Sequence, residues 1–301
     1  MRILVTGKNG QLGKSIRKLV NAEAKKENNP SSNKFIFVGR EELDLNNESN
    51  INHYFDSNDK FDIIINCAAY TQVDKAEQEA ELANQINHVA VKQLASKVNK
   101  QQGRLIHIST DYVFDGESND KPYVETDIPN PINVYGKTKL AGEKALQEVM
   151  PMNALIIRTS WLYSEFSNNF VKTIIKLGKE RDELNIVADQ IGSPTYATDL
   201  AAVILSIIKS EVFSSDSQPT EIYHYSNDGE ISRYDFTKEV IELADIQCSV
   251  NPITTDAYPT LAQRPKNTVM QNDKIARIFG LKIVDWNTSL GLFFEKVCRE
   301  Y

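Results

Sequence analysis

The sequence predicts an α/β fold: a doubly wound parallel sheet with a smaller α+β lobe towards the C-terminus. Three observations carry this. Short runs of branched apolar residues alternate with amphipathic helical patterns through the first half of the chain. Those runs are apolar on both faces, as strands covered by helices on both sides must be. The first run ends in a turn with glycines at 7, 10 and 13 that opens a helical pattern. At 301 residues, 41% hydrophobic and 25% charged, the chain has ordinary globular composition and length for about two domains.

The elements follow in order. "RILVT" (2–6) is a β-branched run, and Leu12, Ile16, Leu19 and Val20 then recur at helical spacing. A polar stretch, 24–34, reads as a solvated loop before "FIFVG" (35–39) and "FDIIIN" (61–66), both strands. A long helical pattern runs from Glu77 to Val98, followed by the strand "RLIHIS" (104–109). After the stop signal "PNP" (129–131), residues 133–149 read as a helix and 153–160 as a fifth strand. Beyond Trp161 the rhythm changes to shorter mixed units, with a strongly apolar helix pattern at 198–209 that rejoins the main sheet. The expected division is a dinucleotide-binding domain of 1–160 with about 196–212, and a substrate domain of about 161–195 and 213–301.

Forty-one acids against 34 bases give a net charge of −7 with no basic tract, which argues against nucleic acid as a partner. Cys67, Cys248 and Cys298 are far apart and form no CxxC, so free thiols in a reducing compartment are expected. The apolar start is too short for a signal-peptide core, and "LAAVILSII" (200–208) is half a membrane span. A soluble cytoplasmic protein, monomer or homodimer, is the expectation.

The glycine spacing has a mechanism. Gly7 allows the tight turn, Gly10 lets a pyrophosphate reach the backbone, and Gly13 brings the helix onto the strand, so phosphates sit on free N–H groups at the helix N-terminus. This makes the sheet Rossmann-type and the ligand a nicotinamide dinucleotide. The second strand ends in Gly39-Arg40 where a carboxylate would hold a free ribose 2′-hydroxyl; a guanidinium suits a 2′-phosphate and favours NADPH over NADH. The alternative is that Arg40 is only solvated and Glu41 or Glu42 takes the ribose.

Tyr135 and Lys139, four apart, share a helix face, as do Tyr234 and Lys238. The second pair has no glycine loop or strand near it and reads as a surface face. The first follows "HISTDYVFDG" (107–116), where a strand ends in Ser109-Thr110-Asp111 and so points at the same crevice. Lowering a phenol from about 10 towards 7 takes roughly 4 kcal/mol. One ammonium about 4 Å away supplies a similar amount at an effective dielectric of about 20. Tyr135 is then the candidate proton donor to a carbonyl, with Thr110 tuning it.

The motifs "TGKNGQLG", "IIINCAAYTQVDKAE", "ISTDYVFDG", "NVYGKTKLAGE", "IIRTSWLY", "NNFVKTI", "DQIGSPTYATDLA" and "QRPKNTVM" occur in order along nearly the whole chain. With them the sequence resembles the extended short-chain dehydrogenase/reductase family, and within it the members that reduce a 4-keto sugar linked to dTDP. The resemblance implies Tyr135 as general acid, Lys139 on the nicotinamide ribose and Thr110 beside Tyr135. It places Gly10, Gln11 and Leu12 at the pyrophosphate, Asp44 and Leu45 at the adenine, and Ala69, Tyr70 and Thr71 along the inner dinucleotide. Thr110, Asp111 and Trp161 would hold the sugar nucleotide, with Arg264 a candidate for its pyrophosphate; core packing is the alternative for Trp161. Asn87 either bridges to Lys139 through water or packs in a helix.

Some relatives dimerise around Mg²⁺ held partly by a glutamate of the first helix, but "QLGKSIRKLV" has no acid there, so no metal is implied. His53, His88, His107 and His224 form no ligand cluster, and His107 reads as a satisfied core residue. Two other functions remain. One is an epimerase or dehydratase of another sugar nucleotide, against which stands Asp111-Tyr112 where dehydratases place Asp-Glu. The other is a non-catalytic NADP-binding subunit, which has no need of Thr110, Tyr135 and Lys139 together.

Overall fold

The computed structural model describes residues 1–26, 33–117, 121–215 and 218–297. At its centre β1 (Arg2–Thr6), β2 (Lys34–Phe37), β3 (Ile63–Asn66), β4 (Arg104–Thr110) and β5 (Ala154–Thr159) pair in parallel, and the strand Glu221–His224 adds to β5. From one edge the order is Glu221–His224, β5, β4, β3, β1, β2. The chain leaves β1 for β2 on one side and returns to β3 on the other, so a crevice opens at the carboxyl ends of β1 and β3.

Alternation along the strands explains their unbroken apolar character. Ile3, Val5, Ile63, Ile65, Ile106 and Ile157 face Leu12 and Ile16 of α1 (Gln11–Lys26) and Leu200, Ile204 and Ile207 of the helix Ala197–Lys209. Leu4, Ile64, Leu105 and Ile156 face the other layer: Ile51 and Phe55 of α2 (Glu48–Asp56), and Val91, Leu94 and Val98 further on. Each such side chain, fully buried, contributes roughly 1.5–3 kcal/mol. A third core of Tyr163, Val171, Ile174, Tyr196, Phe236 and Phe293 lies in the second half.

Three local expectations change. The helix expected over 77–98 is broken into α3 (Val73–Gln78), α4 (Ala80–Asn84), a π-turn (Gln85–Val89) and α5 (Ala90–Lys100). Glu79 leaves helical geometry, and the π-turn bulges against α6 (Val134–Val149), where a Cβ on Gly142 would lie 2.1 Å from the Asn87 carbonyl. The loop expected over 24–34 begins inside α1, which runs to Lys26, and residues 27–32 of it lie outside the described residues. "EIYH", grouped with the substrate domain, is a strand of the main sheet. Cys67 and Cys248 are free thiols, and Cys298 lies outside the described residues. No helix among the described residues is long and apolar enough to cross a membrane.

Candidate active site

A cleft of about 770 Å³ runs along the carboxyl edge of the sheet. Its floor at one end is the glycine turn. Gly7 has φ +69°, and a Cβ there would stand 3.0 Å from the backbone of Cys67 and Ala68. A Cβ on Gly13 would fall 2.3 Å from the Gly7 carbonyl, so α1 sits directly on the turn. Gly10 and the start of α1 line the cleft, and no acid stands in the helix's first turn. A close backbone approach at a helix N-terminus fits a dinucleotide pyrophosphate. The Gln11 side chain is committed elsewhere: Nε2 donates to the Leu162 carbonyl at 3.1 Å, and Oε1 accepts from Ser164 at 2.8 Å and Asn169 at 3.1 Å. Only its backbone is left to meet a phosphate.

At the far end, Arg40 is largely exposed and its Nε lies 3.4 Å from Asp44 Oδ1. Glu42 is bonded by Lys8 and accepts from the Gly39 N–H at 2.9 Å, and these two contacts hold its carboxyl below the ordinary range. Lys8, which the sequence reading passed over, therefore stands beside Gly39-Arg40, its Nζ also 3.8 Å from Glu41. Asp44, Leu45, Ala69, Tyr70 and Thr71 line the wall between.

The middle of the cleft is made by α6. Asn133 caps it by accepting from the Gly136 N–H at 2.8 Å. Gly136 lets the helix start pack onto the turn after β4, since a Cβ there would lie 2.1 Å from the Tyr112 carbonyl. Tyr135 and Lys139 both face the cleft, with Thr110 and Asp111 opposite. Tyr135 shares a hydrogen bond with Thr110 and an edge contact with the Tyr112 ring.

The expected acidic phenol is not found. Burial pushes Tyr135 above its ordinary value, and only the Thr110 hydrogen bond pulls it down. The Lys139 ammonium that was to lower it is turned to the main chain, donating to the Ile108 carbonyl at 2.6 Å. Burial brings Lys139 itself down to about 8, against the opposing charge of Glu143. Glu143, one turn on, is fully engaged: Arg158 Nε and Nη2 donate to it at 3.0 and 2.7 Å, and Ser109 at 2.5 Å. Asn87 packs within its helix segment and is bonded to its neighbours. Its Oδ1 accepts from Tyr70 N at 2.9 Å, and its Nδ2 donates to the Tyr70 carbonyl and to Thr138, so it pins the Ala69–Thr71 wall.

On the sugar side, Asp111 is buried and pushed up to about 6; hydrogen bonds from Thr268 (2.6 Å) and Thr110 (3.0 Å) partly oppose the burial. Trp161 adopts a left-handed backbone, φ 44°, at the cleft wall. The guanidinium of Arg233 stacks 3.6 Å from its ring centroid. Arg264 is ion-paired instead: Asp74 takes both its terminal nitrogens at 2.8 and 2.5 Å, and Arg264 is not among the residues that line the cleft. Arg233, at the first position of the helix Arg233–Leu243, lines the cleft beside Trp161.

Comparison with known proteins gives the family. The family described as the RmlD substrate binding domain matches residues 1–299. A dTDP-4-dehydrorhamnose reductase of Aggregatibacter actinomycetemcomitans is 41% identical over 96% of this chain and 97% of its own. A crystal structure of a dTDP-4-dehydrorhamnose reductase from Clostridium acetobutylicum superposes with a TM-score of 0.89 at 38% identity, covering 99% of this chain and 100% of the other. One from Bacillus anthracis, in complex with NADP, gives 0.86 at 38% identity over 98% and 99%.

Proposed function

Because the chain belongs to the RmlD substrate binding domain family, we propose that it reduces the C4 keto group of dTDP-4-dehydro-L-rhamnose to dTDP-L-rhamnose with NADPH. The observation that carries the reading is a single cleft holding a glycine-built phosphate seat and, further along, a half-buried phenol bonded to Thr110.

When bound, NADPH supplies the hydride. The backbone of Gly7, Gly10, Gln11 and Leu12 receives the pyrophosphate, with Gly13 keeping α1 close. Arg40 takes the 2′-phosphate. Asp44 and Leu45 lie at the adenine, and Ala69, Tyr70 and Thr71 along the inner dinucleotide. Lys139 holds the nicotinamide ribose. Tyr135 gives its proton to the C4 oxygen, and its raised pKa keeps that proton in place until the oxygen becomes basic. Thr110 fixes the phenol's direction. Asp111, Trp161 and Arg233 hold the sugar nucleotide, Arg233 in the role first given to Arg264.

On this reading residues 1–160 with about 196–212 serve the dinucleotide, together with the strand Glu221–His224. Residues from about 161–195 and the remainder beyond 213 serve the sugar. The enzyme acts in the cytoplasm on a free sugar nucleotide.

NADPH oxidation against a panel of 4-keto sugar nucleotides tests this. Turnover is expected with the dTDP-linked substrate, and Tyr135→Phe should lower kcat by roughly 10²–10⁴-fold with NADPH affinity retained. Full turnover in Tyr135→Phe refutes the mechanism; NADPH binding without turnover of any 4-keto sugar points instead to a cofactor-holding subunit.

A further inference from the structure

Behind Lys139 runs a buried polar chain that the proposed chemistry does not use. The Ala68 N–H donates to Thr6 Oγ1 at 3.1 Å, and Thr6 Oγ1 donates to Asn66 Oδ1 at 2.7 Å. Asn66 Nδ2 meets His107 Nδ1 at 3.0 Å, and His107 Nε2 lies 3.4 Å from Lys139 Nζ. Strand register builds it: Thr6 lies opposite Asn66 across β1 and β3, and Asn66 opposite His107 across β3 and β4. Thr6, Asn66, His107 and Lys139 are all 2% exposed or less, so solvent completes none of these bonds.

Donor bookkeeping fixes the ring. The Thr6 hydroxyl occupies the Asn66 oxygen, so the carboxamide presents its N–H to His107, whose Nδ1 must accept. A neutral imidazole then carries its proton on Nε2 and points that N–H at Lys139. The ring stays neutral, because burial first and the lysine charge second hold it well below its ordinary value. An amine accepts from Nε2–H; an ammonium opposes it, unless the ring tautomer and the Asn66 carboxamide both turn over.

The other titratable groups around Lys139 are accounted for. Glu143 and Tyr135 share its helix, and Glu143 is paired with Arg158 from β5. Asp111 follows β4, His88 of the π-turn is bonded to Asn84, and the Cys67 thiol at the end of β3 is kept neutral by burial.

We propose that His107 is a positioning residue for Lys139, its tautomer fixed by the Thr6–Asn66 chain so that an N–H faces the lysine nitrogen and opposes its charging. The charge of the lysine is thereby set where it holds the nicotinamide ribose, a consequence that rests on the role given to Lys139 above.

Ring-nitrogen NMR of the ¹⁵N-histidine-labelled enzyme reads the tautomer without turnover, with the His107→Gln spectrum assigning the signal. A protonated Nε2 with a bare Nδ1 is expected, and an Nδ1–H ring overturns the proposal. In His107→Leu the limb of the kcat/KM profile set by Lys139 should move up by about one pH unit, since the opposing N–H is gone. His107→Gln, which keeps an amide N–H at that reach, should restore the wild-type limb. A uniform loss of rate with an unmoved limb, or a limb moving down, overturns it. The wild-type spectrum needs no variant, so an unfolded His107→Leu leaves the test intact. A failed Tyr135→Phe result would strike the proposed reaction and leave the tautomer untouched.

Discussion

Asp111 shows what a buried carboxylate in the cleft costs. Its folded pKa, about 6, lies above the ordinary 3.8 because burial penalises its charge. Its contribution to stability is therefore complete below pH 4 and is lost as pH rises through 6. Two units correspond to about 3 kcal/mol as an order of magnitude. Asp111→Asn keeps groups for Thr110 and Thr268 to meet, so its melting temperature should exceed wild type at pH 8, the gain vanishing near pH 4, while turnover falls. A melting temperature at pH 8 no higher than wild type would contradict the assignment. Legibility at this scale was uneven. Glycine spacing, Tyr135, Lys139 and Thr110 were readable because their geometry is local or lies at a strand end. The Arg264–Asp74 pair spans 190 residues and leaves no local trace in the sequence.

Among the elements, the strands were easier to place than the helices, since a strand buried on both faces announces itself as a branched apolar run. The break at Glu79 and the π-turn after it come from tertiary demands, the closeness of α6 and the fixing of Tyr70 by Asn87, which periodicity does not record. "EIYH" looked like part of a second domain because only pairing with β5 reveals its sheet. The short strand Ile191–Gly192 has a comparable tertiary task. A Cβ on Gly192 would stand 2.7–2.9 Å from the Trp161 ring, so Gly192→Ala must push the indole, and Arg233 with it, off position. The expected result is a kcat/KM for the sugar nucleotide lower by roughly 10- to 100-fold. NADPH affinity should be unchanged, as titration of each ligand would show; an equal loss for both ligands would mean general unfolding.

Across the whole molecule, the two ligand seats of the proposed reading rest on separate cores, one around the sheet and one around Tyr163 and Phe236. They meet at Gln11. The first residue of the phosphate-binding helix grips Leu162, Ser164 and Asn169, the segment that follows Trp161. Ordering either seat therefore orders part of the other, and thermodynamic reciprocity then applies: dTDP should tighten NADPH by the factor by which NADPH tightens dTDP, on the order of fivefold. Fluorescence titrations in both orders measure it, and Gln11→Ala should bring both factors towards one. A single carboxamide would thus make occupancy heterotropic, favouring assembly of the ternary complex over either half-filled enzyme.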